Sequence, residues 1–207
     1  MFSKFLNLDM EKQDRILNSA MKEFAQNGFE KASTNEIVKE AGISKGLLFH
    51  YFKDKKNLFL FLYDYCIEAG MKEFYEKVNL DERDFFIRLN QIISIKFELL
   101  DKYPEMFRFI EKAYMETSNT VKKDLDERNE QLIKINFNKV LEGIDTSKFR
   151  EDMDIKKIIN IIIWTFRGLG DDALKKAKLL SLDKPDYNEV FTEAEDYIDM
   201  FKNCFYK

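Results

Sequence analysis

Ser44, Lys45 and Gly46 stand together at the head of the run SKGLLFHY. A hydroxyl, a cation and a glycine whose backbone amide is open to close approach suit contact with an anion, phosphate above all. They do not by themselves perform acid-base or nucleophilic chemistry. The chain's one histidine, His50, lies in the same run, which removes zinc sites built on two or three imidazoles and leaves only all-carboxylate or cysteine sites formally open. Cys66 and Cys204 stand far apart without a CxxC spacing, which reads as two inert thiols in a reducing compartment. With no Gly-rich phosphate loop and no metal-ligand spacing, little is left to serve as base and nucleophile, so neither an enzyme nor a cofactor or metal is expected.

Within the run, Lys45, Leu47 and His50 can point away from a packed helix face, and Lys can reach guanine acceptors while Leu packs on a thymine methyl. Gly46 has little value inside a helix, where it costs up to about 1 kcal/mol relative to Ala, unless another body must come very close. Lys53, Lys55 and Lys56 follow, and read either as a grip on a phosphate strand or as a solvated polar corner.

The elements that must position these residues are helical. Apolar Ile16, Leu17, Ala20, Met21 and Phe24 fall at three-and-four spacing, predicting a helix over 10–27 that Gly28 stops. A short helix opens at Ser33, which has capping-box spacing to Glu36, or at Thr34, and ends at Gly42. Ser44 caps a third helix to about residue 51, leaving Gly42 and Ile43 as the turn. Leu48 and Phe52 hold that helix to Ile16, Phe24 and Ile37. Two short helices so joined, behind a longer one, describe a helix-turn-helix whose second member enters the DNA major groove. Spacing alone also fits a plain three-helix packing unit; the residue types favour the duplex.

Further helices are expected over 58–78, 84–101, 104–117, 120–141, 155–180 and 188–205, about nine in all. The β-branched stretch from Ile158 to Ile163 is helical too, because Ile155, Ile158, Ile159, Ile162, Phe166 and Leu169 keep helical spacing over four turns and no partner strand pattern lies nearby. Seven glycines and two prolines are too few for a turn-rich β fold, so the class is all-α. The net charge of −4 excludes a histone-like protein. Residues 1–56 carry ten basic and eight acidic side chains, whereas 57–207 carry 24 and 30, so only the first part suits a polyanion. The start lacks a long apolar stretch, and the most apolar window, residues 158–166, is shorter than the roughly 20 residues that span a bilayer, so a cytoplasmic protein without a membrane role is expected.

The stretch GFEKASTNEIVKEAGISKGLLFHYFKDKKNLF resembles the N-terminal DNA-binding domain of the TetR family of bacterial transcriptional regulators. The likeness covers about the first 60 residues and rests on Phe29 after Gly28, Thr34, Ile37, Ala41-Gly42, Ser44, Gly46, the aromatic cluster ending in Phe52, then Lys55 and Leu58. It implies that Thr34, Ser44, Tyr51 and Lys55 contact phosphates and that Lys45, Gly46, Leu47 and His50 face bases. Phe49 is expected at the DNA interface as well; Leu47 and Phe49 depart from the small residue and the Tyr usual at those places, which turns Leu47 toward thymine methyls and leaves Phe49 to meet the duplex without a phenolic hydroxyl.

The resemblance further implies a helix-turn-helix domain over 1–56 and a ligand-binding and dimerisation domain over 57–207. A homodimer through the two C-terminal helices would read a near-palindromic double-stranded operator, as a repressor responsive to a small hydrophobic or aromatic effector. The helix beginning near Lys55 would be the lever between ligand and DNA. Met71, Phe74, Phe97, Met106, Tyr114 and Trp164 either line an apolar cavity or fill a core, and Arg167 would meet an anionic ligand group or form a surface ion pair. The rival reading keeps the fold but places control in a protein partner, or dispenses with a small-molecule effector.

Overall fold

Aspartate and serine caps set most of the helix starts in this chain, and they partition the described residues into ten α-helices. The computed structural model describes residues 2–182 and 184–207, with Phe137 described by its backbone alone. The helices are α1 (Ser3–Leu6), α2 (Met10–Lys31), α3 (Thr34–Ala41), α4 (Lys45–Phe52), α5 (Lys55–Lys77), α6 (Phe85–Lys102), α7 (Pro104–Tyr114), α8 (Lys122–Leu141), α9 (Ile155–Leu179) and α10 (Tyr187–Phe205). Asp9, Ser33, Ser44, Asp154 and Asp186 each accept an amide of the first turn that follows. Asp54 does the same for α5 and Asp84 for α6, while Pro104 opens α7 where its missing N–H is not needed. The described residues form no strand, only an isolated bridge between Phe149 and Tyr206. No described helix is long and apolar enough to cross a membrane.

Two differences from the sequence reading stand at the N-terminus. The one-turn helix α1 was not expected, because four residues carry no periodicity; its Phe5 is fully buried and holds it in place. Gly28 does not end the helix. It kinks it, at φ 68° and ψ 178°, and the chain makes one more turn to Lys31. That backbone region is essentially open to glycine alone.

The chain divides into two compact units that are not contiguous in sequence. One contains the residues up to Glu73 together with Lys102–Ile135, the other Phe74–Asp101 together with Asn136–Lys207. Residue 56 lies inside the first. Its core joins Ile16, Phe24, Ile37, Leu48 and Phe52 to Leu58, Phe59 and Phe109, with the Phe59 ring 4.9 Å from Phe24 and 5.4 Å from Phe109. Helix α7 thereby seats on α2. Cys66 is buried in this core, and burial pushes its thiol up to about 12; Cys204 is exposed on α10.

In the second unit α9 pairs with α10 through Ile158, Ile162, Ala194, Ile198 and Phe201. The isoleucine-rich run is helical, as its spacing requires. Its outer face is open: Ile161 and Trp164 are exposed, as are Leu179, Leu180 and Leu182 around the turn. Arg88 is fully buried, and its guanidinium donates to four backbone carbonyls, those of Leu80, Glu82, Val140 and Glu142, at 2.7–2.8 Å. Two of these lie at the C-terminal end of α8, where the helix dipole favours a cation.

A lysine cannot reproduce that planar fork. Arg88→Lys offers three donors to four carbonyls, so at least one is left without a donor, and at about 1–3 kcal/mol for that loss the fold should be destabilised by roughly 2 kcal/mol, read from the urea midpoint at constant slope.

Candidate nucleic-acid interface

Helix α4 is set by its two ends. Gly42 closes α3 in the left-handed conformation at φ 66° and ψ 37°, and the Ile43 amide returns to the Val38 carbonyl at 3.0 Å, a helix stop that glycine makes without strain. Ser44 then caps α4 by accepting the Leu47 amide at 3.2 Å, so its hydroxyl is already engaged, while the Lys45 and Gly46 amides remain at the open N-terminus of the helix. One face, Leu48 and Phe52, is completely buried. The opposite face presents Ser44, Lys45, Gly46, His50 and Lys53 to solvent. Leu47 and Phe49 are half-buried at the flanks, Leu47 against the core and Phe49 with the Lys45 ammonium 5.9 Å from its ring.

A Cβ placed on Gly46 would meet nothing within 4 Å, and the residue has ordinary helical geometry. Nothing inside the protein therefore calls for glycine there.

Two expected phosphate contacts are placed differently. Tyr51 is 92% buried, its ring 6.1 Å from Phe5 of α1 and edge-on to it, because α1 covers that flank of α4. Lys55 turns inward: its ammonium donates to the carbonyls of Glu30 and Ala32 at 3.1 and 3.3 Å and lies 4.8 Å from the centre of the Phe29 ring. Thr34 is the first residue of α3 and half-buried; Ser33 is the cap. The capping box stays open, since the Ser33 amide goes to Glu23 at 2.8 Å and Glu36 pairs with Lys39.

The turn that Lys55 grips from one side is gripped from the other by Glu116, in the loop after α7. One carboxylate oxygen accepts the Phe29 amide at 2.8 Å; the other accepts the amides of Thr117 and Ser118 at 2.9 and 3.0 Å. The Ser118 hydroxyl donates to Glu30. Burial alone would raise the Glu116 pKa, but the N–H groups of Phe29, Ser118 and Thr117 outweigh it and hold the carboxyl below its ordinary 4.5. No local signal in the sequence marks Glu116, because its partner lies 87 positions away.

The residues expected at a ligand cavity are divided between the units. Met71, Met106 and Tyr114 belong to the first, with Tyr114 exposed. Phe74, Phe97, Trp164 and Arg167 belong to the second. Phe97 packs edge-on against Phe191 at 4.8 Å, and Phe74 against Tyr75 at 5.2 Å. Trp164 is 64% exposed and lines an open groove between α9 and α10 with Leu169, Pro185 and Tyr197; Arg167 is exposed on the same helix.

Comparison with known proteins gives this geometry its context. The family model described as bacterial regulatory proteins, tetR family, matches residues 16–62, from the core of α2 into α5. The fatty acid metabolism regulator protein of Bacillus subtilis is 22% identical over 154 residues, 73% of this chain and 77% of that one. The HTH-type transcriptional regulator QacR of Staphylococcus aureus is 47% identical over 51 residues, a quarter of this chain and 27% of its own length. The crystal structure of the transcriptional regulator FadR from Bacillus subtilis, in complex with stearoyl-CoA, superposes with a TM-score of 0.68 at 18% identity, covering 91% of this chain and 96% of that one.

The Glu116 contacts make a pH-dependent contribution to stability. A carboxyl held low in the fold stabilises it above the unfolded value near 4.5, and this stabilisation disappears as pH falls through the folded value. Glu116→Gln should cost about 1–3 kcal/mol at pH 7, and the gap between variant and parent should narrow in denaturant titrations carried below pH 4.5.

Proposed function

The chain belongs to the TetR family of bacterial transcriptional regulators, a family of DNA-binding proteins rather than enzymes, and from that premise we propose that it is a repressor. It reads a near-palindromic operator as a homodimer, with the exposed face of α4 in the major groove and a small hydrophobic effector setting its affinity. The observation that carries this reading is Gly46. An exposed helical glycine with open space around it weakens the isolated helix and gives nothing back inside the protein. It is useful to a helix whose backbone must come against a base edge or a phosphate.

Lys45 and His50 then face bases, Leu47 and Phe49 line the flanks of the contact, and the amides at the start of α4 with Ser44 and Thr34 meet the backbone. Tyr51 and Lys55 act one step back: Tyr51 seats α4 on α1, and Lys55 ties α5 to the turn before α3.

The open faces of α9 and α10, with Ile161, Trp164 and Met200 exposed, suit an isologous pairing with a second copy, and a dimer sets the two reading helices roughly 34–36 Å apart, one duplex turn. For the effector, the resemblance to a fatty acid metabolism regulator and to a neighbour crystallised with stearoyl-CoA supports a long-chain acyl thioester as the first compound to test. Its binding would shift the population toward heads wrongly spaced for the operator, and a coupling of about 1–3 kcal/mol changes affinity several-fold to a hundredfold.

Gly46→Ala separates fold from function. The variant should be as stable as the parent or up to about 1 kcal/mol more so, yet bind operator fragments at least about tenfold more weakly in fluorescence anisotropy. Undiminished binding would remove α4 from the groove. Lys45→Ala should cost about 1–3 kcal/mol and relax preference at one position per half-site in a selection from randomised duplexes; equal losses on every sequence would make Lys45 a phosphate contact.

A further inference from the structure

Between α4 and α5 the chain turns within Lys53 and Asp54. Lys53 has φ 66° and ψ −52°, and the Asp54 amide donates to the Phe52 carbonyl at 2.8 Å, which closes a three-residue γ-turn of the strained hand. Glycine would adopt this conformation freely; lysine does so against its preference. The Lys53 amide also donates to the Phe49 carbonyl at 2.8 Å, so its Cα continues the register of α4. At three, four and seven residues from one another, Gly46, Phe49, His50 and Lys53 fall along one stripe, opposite the buried Leu48 and Phe52.

The three lysines of this corner are not equivalent. The Lys55 ammonium is held by two backbone carbonyls and the Phe29 ring, and Lys56 is paired with Asp124 at 2.8 Å. Asp54 directs both carboxylate oxygens to Asn57, at 2.7 and 2.9 Å. Lys53 is exposed and engaged with none of them. It also stands at the C-terminus of α4, the negative end of the helix dipole, where a phosphate can approach only if a cation offsets the carbonyls.

We infer that Lys53 is the phosphate anchor of this corner, gripping the duplex backbone at the far end of the reading helix from Ser44 and Lys45. The inference rests on the regulator reading and deepens it. The strained turn leaves an exposed cation at the end of the stripe assigned to DNA.

The test uses the full chain and a duplex fragment that the parent binds. Lys53→Gly should raise the thermal midpoint, by release of the turn, while weakening binding several-fold and flattening the plot of log affinity against log salt by about one unit per protomer. Lys53→Arg should restore the parental slope. A Lys53→Gly slope equal to that of the parent overturns the assignment even though the chain still binds DNA. A parent that prefers no duplex at all overturns this inference and the regulator reading together.

Discussion

The reading head depends on the backbone geometry of Gly28. By leaving the helical region there, the chain frees the Phe29 amide for Glu116 and turns the carbonyls of Glu30 and Ala32 toward Lys55. A side chain at this position would be strained and would meet the Glu116 carboxylate at 3.2 Å and Lys112 at 3.3 Å. Polar groups that a bent helix leaves unpaired are thus supplied with partners from two other parts of the chain, and the bend becomes a fixed mount for α3 and α4.

Those partners stand at the heads of the two helices that run out of the first unit. Lys55 begins α5, which continues past Glu73; the loop carrying Glu116 and Ser118 leads into α8, which passes from the first unit to the second at Asn136. Within the first unit the two helices are tied by Lys56 to Asp124, Asp64 to Arg128 and Tyr63 to Asn129, at 2.8, 2.8 and 2.6 Å. A lever made of α5 alone, which the sequence suggests, would have to break these ties. Lys55 at the head of α5 and Glu116 in the loop leading into α8 thus both hold the turn after Gly28.

Local rules made much of this architecture legible. Caps at Ser33 and Ser44, the glycine stop at Gly42 and the spacing of Ile16, Phe24, Ile37, Leu48 and Phe52 mark the helix-turn-helix and its core without any long-range information. The spacing of Ile155, Ile158 and Ile162 identifies α9 against the β-branched character of its residues. What stayed hidden depends on contacts across the chain. Helix α1 is one turn, too short to be stable alone, and exists because Phe2 and Phe5 find Phe52 and Phe61. The burial of Tyr51 follows from α1, and the inward turn of Lys55 from carbonyls exposed by a kink that spacing reads as an end. The discontinuous units arise because α7 packs on α2, a pairing no periodicity encodes.

The helical state of the isoleucine-rich run in α9 also has a bearing on what happens when it is lost. Residues 158–166 carry no charge and no proline, and five of the nine are isoleucine. Held in α9, their amides are satisfied within the helix; released by heat or denaturant, the same segment is an uncharged β-former that can pair with its equivalent in other unfolded chains. Melting of the second unit therefore opens a route to aggregation that competes with refolding, and the durability of the protein in hot or concentrated solution is governed by how slowly α9 is exposed.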